Sequence, residues 1–220
     1  MRHNRALFLD RDGVVNIDHG YVHRVEDFHF HPGIFQLCRA AQTLEYRIVV
    51  VTNQAGIGRG YYTESAFVAL TRWMVGRFAE EHVEIAGVYY CPCHPVDGIA
   101  GYNNDCFARK PRPGMVLRAA ADLALDLTSS ILVGDRESDI SAARTAGVGV
   151  KILLGSRSTP NDTQQTDYHV AESLDDVRRR FFSPAGSVSH SEIARARFSA
   201  VPVHPTGRAW PNRSPKTIRT

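Results

Sequence analysis

The sequence predicts an α/β domain, a three-layer Rossmann-like parallel sheet covered by helices on both faces. Two observations carry this. Apolar runs of strand length alternate with segments of helical apolar spacing along residues 1–182, and such alternation gives parallel strands buried on both faces. The runs also end in polar pairs: Asp10 with Asp12, Thr52 with Asn53, Gly134 with Asp135. In a parallel sheet those ends share one edge, where ligands collect.

Residues 6–10 form the first expected strand. Residues 13–32 read as an irregular excursion with Asp18-His19-Gly20-Tyr21 at its tip. Pro32-Gly33 opens a helix to residue 46, with Ile34, Leu37, Cys38, Ala41 and Leu44 at helical spacing. Residues 47–52 hold a buried-strand run, Ile48-Val49-Val50-Val51, and a Gly-rich loop follows to residue 62. Thr63 caps a helix to about residue 81, whose Phe67, Leu70, Met74 and Phe78 share one face. Residues 85–90 are a strand and 91–112 a long loop. Pro113 suits the first turn of a helix to residue 125. Strands over 131–135 and 148–154 bracket a helix over 137–146 that Gly147 stops. A last helix covers 174–182.

With 220 residues, 43% of them apolar, the chain can build one large core. Its net charge of +3 is uneven. Residues 183–220 contain six Lys/Arg against Glu192, about +5, so residues 1–182 carry about −2. The basic balance thus belongs to the tail, and it gives the folded domain no reason to bind nucleic acid. Five of the eleven prolines also fall in this tail, which reads as a disordered, solvated extension. The first apolar run is too short for a signal peptide, and no stretch approaches the ~18 apolar residues of a membrane span. A soluble, cytoplasmic, monomeric protein is expected. Four cysteines do not make a disulfide scaffold in a chain this long. Three of them lie between residues 91 and 106, a clustering that points to metal.

Two aspartates delivered by a buried strand repel one another unless solvated, paired or bound to a cation. Oxygens of Asp10, Asp12 and Asp135 suit Mg²⁺, which takes a few carboxylates plus water and phosphate oxygens. Asp139 lies one helical turn beyond Asp135. Thr52 and Asn53 offer donors for phosphoryl oxygens. Lys110 can offset the acids and bind phosphate. Alone, each of these reads equally well as a capped turn or a surface lysine. In this order they point jointly to phosphate chemistry. Gly56-Ile57-Gly58-Arg59-Gly60 imitates a dinucleotide loop, but Tyr61 stands where its third glycine belongs. The glycines instead let backbone approach a phosphate, with Arg59 near the substrate. Cys38 is expected in the core.

The segments F-L-D-R-D-G-V-V-N, D-H-G-Y-V-H, V-V-V-T-N-Q-A-G-I-G-R-G, Y-Y-C-P, R-K-P-R-P-G-M and V-G-D-R-E-S-D carry a resemblance. Over residues 6 to about 180, the chain resembles the haloacid-dehalogenase superfamily of phosphotransferases, in its branch of heptose-bisphosphate and histidinol-phosphate phosphatases. The resemblance implies that family's sheet without a large cap domain. It implies Asp10 as the nucleophile that forms an aspartyl-phosphate, and Asp12 as general acid and then base, with a proton affinity raised by its neighbours. It implies Mg²⁺ on the Asp10 carboxylate, the Asp12 carbonyl and Asp135, with Asp139 orienting metal waters or Lys110. Thr52, Asn53 and Lys110 would stabilise the phosphoryl group. Asp18, His19, Gly20, Asn53, Gln54, Ala55, Arg109 and Arg136 would contact the sugar or a second phosphate. Related enzymes carry a structural zinc on C-x-H and C-x-C. Here Cys93 replaces the histidine and Ala108 the last cysteine. That leaves Cys91, Cys93 and Cys106 as ligands, with His94 as candidate fourth. The implied activity is removal of the 7-phosphate of D-glycero-D-manno-heptose 1,7-bisphosphate, for heptose supply to the lipopolysaccharide core. Histidinol phosphate or another small phosphosugar is the alternative substrate. A non-catalytic phosphosugar-binding protein is a third reading, which the Asp10/Asp12 pair disfavours.

Overall fold

The computed structural model describes residues 4–155, 167–183 and 216–218. Its sheet has seven strands in the order β6-β5-β4-β1-β2-β3-β7. These are β1 (Ala6–Leu9), β2 (Arg47–Asn53), β3 (Ile85–Cys91), β4 (Ile131–Gly134), β5 (Val150–Leu154), β6 (His169–Ala171) and β7 (Lys216–Ile218). The first six pair in parallel, and β7 runs antiparallel along β3. The helices are α1 (Ile34–Thr43), α2 (Ala55–Gly58), α3 (Glu64–Glu80), α4 (Gly114–Leu123), α5 (Glu137–Ala146) and α6 (Leu174–Phe181).

Strand alternation divides the core. Leu7 and Leu9 of β1, with Ile48 and Val50 of β2, pack against Leu37, Met74, Phe78 and Val177 from α1, α3 and α6. Ala6, Phe8, Val49 and Val51 face the other way, onto Met115, Val116 and Ala119 of α4 and Ala143 of α5. These two faces are the predicted three layers. Thr63 caps α3 as expected, its hydroxyl accepting from the Ala66 amide at 3.1 Å, and Gly147 closes α5 in the left-handed region. Cys38 is fully buried, and burial pushes its thiol well up. No helix among the described residues is long and apolar enough to cross a membrane.

Three elements were not anticipated: the single turn α2 inside the Gly-rich loop, and the three-residue strands β6 and β7. Most of the expected tail lies outside the described residues. Its described part, Lys216–Ile218, is not an aperiodic extension: it pairs with Tyr90, Tyr89 and Val88 and covers the outer edge of β3. An uncovered edge exchanges its amide protons freely and invites other strands. A chain ending at residue 215 is therefore expected to exchange the Val88–Tyr90 amides faster than the full chain, with turnover unchanged. Equal exchange by mass spectrometry would remove β7 as the cover of this edge.

Candidate active site

β1 and β4 are neighbours in the sheet, so the residues after them meet. Asp10 and Asp135 come together with Asp139, one carboxylate oxygen from each lying within 4.8 Å of the others. Gly13 makes this possible. Its φ of +89° favours glycine, and a Cβ there would lie 2.3 Å from Asp135 Oδ2. Lys110 answers the acids. Its Nζ lies 2.8 Å from Asp10 Oδ1 and 2.5 Å from Asp139 Oδ1, and it donates to the Val51 carbonyl at 2.9 Å. The lysine is buried. Burial works against its charge, but Asp10 and Asp139 outweigh it and hold the ammonium above its ordinary range. Asp139 also accepts from the Arg136 backbone amide at 3.0 Å, closing the N-terminus of α5.

Asp135 Oδ1 is buried without a hydrogen-bond partner. An orphaned carboxylate oxygen beside two further carboxylates fits a hard divalent cation such as Mg²⁺. Burial pushes the Asp10 carboxyl up to about 7; Lys110 opposes the rise, and Asp139 and Asp135 add to it. Folded, metal-free protein therefore holds a proton that unfolded Asp10 sheds near its ordinary value of 3.8. That stability is full below the ordinary value and is lost as pH rises through about 7. The unfolding midpoint of metal-free protein is expected to fall between about pH 5.5 and pH 8. Added Mg²⁺ is expected to raise it more at the higher pH. Equal Mg²⁺ effects at both pH values would remove Asp10 from the cation group.

The Asp12 carboxylate stands apart from this cluster, in a cage of donors. Arg11 reaches it with Nη2 at 2.7 and 2.8 Å and with Nε at 3.1 Å. Asn16 Nδ2 donates at 3.1 Å and Gln54 Nε2 at 3.0 Å. All of these side chains donate to the carboxylate and fix its position. Arg11 was missed. It is 1% exposed, donates to the Val22 carbonyl at 2.7 Å, and lies over Phe67 and Phe28. Its position between two acids was the available signal.

A cleft of about 460 Å³ opens over Asp10, Asp12, Thr52, Asn53 and Lys110. Of the sequence candidates for substrate contact, Asp18, Gly20, Gln54, Ala55, Arg59, Arg109 and Arg136 line it, with Gly56 of the Gly-rich loop; Tyr21, Tyr62 and Ser138 join them, as does His94, which was expected at the thiols. His19 is not among the lining residues; its ring meets His29 edge-on. Asn53 turns its side chain to Lys110, donating to the Lys110 carbonyl and accepting from its amide, both at 3.0 Å. It thereby holds the lysine backbone at the cleft. Arg136 pairs with Asp18 at 2.8 Å across the mouth. Arg59 meets Tyr21, His94 and Asp97.

Cys91, Cys93 and Cys106 do converge, their sulfurs within 4.8 Å of one another, which fits a soft metal ion. His94 does not join them. Its Nδ1 accepts from the Val96 and Asp97 amides at 3.4 and 3.0 Å, and its Nε2 lies 3.1 Å from Arg59. Adjacent side chains on an extended loop diverge, so His94 faces the cleft while Cys93 faces the thiols. Ala108, at the expected fourth position, is buried against this layer.

A HAD-hydrolase-like family model matches residues 107–178. A D-glycero-alpha-D-manno-heptose-1,7-bisphosphate 7-phosphatase of Burkholderia mallei is 58% identical over 70% of this chain and 82% of its own length. A D-glycero-beta-D-manno-heptose-1,7-bisphosphate 7-phosphatase of Vibrio cholerae is 47% identical over 79% of this chain and 92% of its own. Among solved structures, a D,D-heptose 1,7-bisphosphate phosphatase of B. bronchiseptica, in complex with magnesium and phosphate, matches with a TM-score of 0.67 and 28% identity. The match covers 80% of this chain and 96% of that one.

Proposed function

The chain belongs to the haloacid-dehalogenase-like hydrolases, with the D-glycero-D-manno-heptose-1,7-bisphosphate 7-phosphatases, and from that membership we propose that it removes the 7-phosphate of this sugar bisphosphate through an aspartyl-phosphate. The observation that carries the residue roles is the buried group of Asp10, Lys110, Asp139 and Asp135, with an unpartnered Asp135 oxygen. Its three acids face the single ammonium of Lys110, which leaves room for a divalent cation.

In this reading Asp10 attacks phosphorus while Asp12, across the cleft floor, gives a proton to the departing sugar oxygen. Asp12 then takes a proton from the water that opens the aspartyl-phosphate. Lys110 and Thr52 hold phosphoryl oxygens as charge shifts onto them. Arg59, Arg109 and Arg136 supply guanidinium forks for the second phosphate, a bidentate match. Mg²⁺ would be held by Asp10, Asp135 and the Asp12 carbonyl. Bound there, it shields the nucleophile from phosphate charge and stabilises the transferring oxygens. Zinc is assigned to Cys91, Cys93 and Cys106, with a fourth ligand other than His94. About one zinc per chain is expected by elemental analysis; metal-free protein with full turnover would sink that assignment.

The deciding assay compares kcat/KM with Mg²⁺ on both anomers of heptose 1,7-bisphosphate and on histidinol phosphate. Heptose bisphosphate is expected to lead, with the alpha anomer ahead as the 58% relative suggests. A preference for histidinol phosphate would reject the substrate.

A further inference from the structure

Gln54 was expected to touch substrate, but its side chain is fully engaged elsewhere. The residue is 1% exposed. An amide nitrogen carries two hydrogens. Gln54 Nε2 gives one to Asp12 Oδ2 at 3.0 Å and the other to Thr52 Oγ1 at 2.8 Å. Its Oε1 accepts from the Tyr62 hydroxyl at 2.6 Å. The reverse amide orientation would aim an oxygen at the Asp12 carboxylate, so the carboxylate sets the orientation and the Tyr62 hydroxyl holds it by donating to Oε1.

Tyr62 is itself held in place. Its ring is 8% exposed and stacks on His23 at 4.9 Å with planes 4° apart. Gly56 leaves the room: a Cβ there would lie 2.2 Å from the Tyr62 ring. Burial, first of all, pushes the phenol up to about 12, so it keeps its proton at neutral pH.

We propose that Tyr62 is a positioning residue for phosphoryl transfer, acting through Gln54 on Asp12. This rests on the proposed role of Asp12 as the proton donor. In that step an Asp10 oxygen forms its bond to phosphorus, the phosphorus–sugar oxygen bond breaks, and its electron pair stays on the sugar oxygen. The Asp12 proton neutralises that oxygen. A proton passes efficiently only along a short, aligned path, so a carboxyl free to rotate costs turnover without costing binding. Arg11 donates to both Asp12 oxygens and Asn16 to Oδ1, with Gln54 as the second donor on Oδ2. The Tyr62–Gln54 pair thus helps fix the carboxylate plane.

The test uses the full chain with Mg²⁺ and heptose 1,7-bisphosphate, and inorganic phosphate as the binding probe. Tyr62→Phe keeps the ring and removes one hydrogen bond, so kcat is expected to fall about three- to tenfold. KM and phosphate affinity are expected to stay near wild type, and the unfolding midpoint to fall modestly, because the buried Gln54 Oε1 loses its donor. Gly56→Ala displaces the hydroxyl without deleting it and is expected to lower kcat as well. Adding Tyr62→Phe to Gln54→Met is expected to cost nothing further, because the tyrosine acts through the glutamine. A Tyr62→Phe protein with wild-type kcat, with loss shared equally by KM and phosphate affinity, or with full additivity on Gln54→Met overturns the proposal. Asp12→Asn separates the premises: if it retains turnover, the Asp12 role fails, whatever Tyr62 does.

Discussion

Replacing Asp10 by asparagine abolishes turnover, by at least about 10⁴-fold for a lost nucleophile, and leaves the fold at least as stable as wild type near pH 8. The first half follows from chemistry, since an amide does not form the acyl-phosphate. The second follows from burial. Asp10 is 8% exposed beside two further acids, and its ionised form is disfavoured enough to lift the carboxyl to about 7. A neutral isostere ends that opposition while Lys110 keeps Asp139 as partner. The side-chain oxygen that Asp10→Asn retains can still accept from the Arg11 amide, which bonds Asp10 Oδ1 at 2.7 Å in wild type. Mg²⁺ is then expected to stabilise the variant less than wild type, because one of its two carboxylate ligands is gone. The checks are kcat, unfolding midpoints with and without Mg²⁺, and trapping of phosphorylated protein. A phosphorylated Asp10→Asn protein, or one with more than residual turnover, moves the nucleophile elsewhere.

The parts of this site legible in the sequence share a physical reason. Asp10, Thr52 and Asp135 end apolar strand runs, and a parallel sheet leaves such ends little choice of direction. Lys110 was legible because a buried pair of acids requires a cation. Gln54 and Asn53 were expected at the cleft and line it, and His94 was expected at the thiols and is found at the cleft, but the direction of each side chain was not legible. Each lies in a loop or at its margin, where no period fixes which way a side chain turns. Gln54 turned inward to Asp12, Asn53 to the Lys110 backbone and His94 away from the thiols. Tyr62 looked like a neighbour of the α3 cap and carried no sign of its hydroxyl's target. The same logic covers the fold. Helices of ten residues or more announced themselves, whereas β6 and β7, three residues each, are too short for an alternation pattern.

Lys110→Met is the more severe of the two substitutions, because it damages stability as well as turnover. The lysine is 4% exposed, and Asp139, which it pairs, is 1% exposed. Methionine fills similar volume, so the loss is electrostatic. Removing one member of a buried ion pair leaves the other uncompensated and costs about 3–5 kcal/mol. Turnover is expected to fall about 10²–10³-fold, the usual result of deleting a preorganised donor to developing charge. The two losses separate in a second variant. Adding Asp139→Asn removes the stranded carboxylate and is expected to recover much of the stability, measured by denaturant midpoint. It restores no cation to the phosphoryl oxygens, so kcat is expected to stay low. If stability and turnover returned together, Lys110 would be a structural counter-ion alone, and the electrostatic part of phosphoryl transfer would have to be assigned to the cleft arginines. If neither returned, the Lys110–Val51 hydrogen bond at 2.9 Å, which neither methionine nor the second substitution replaces, would account for the fold's dependence on this residue.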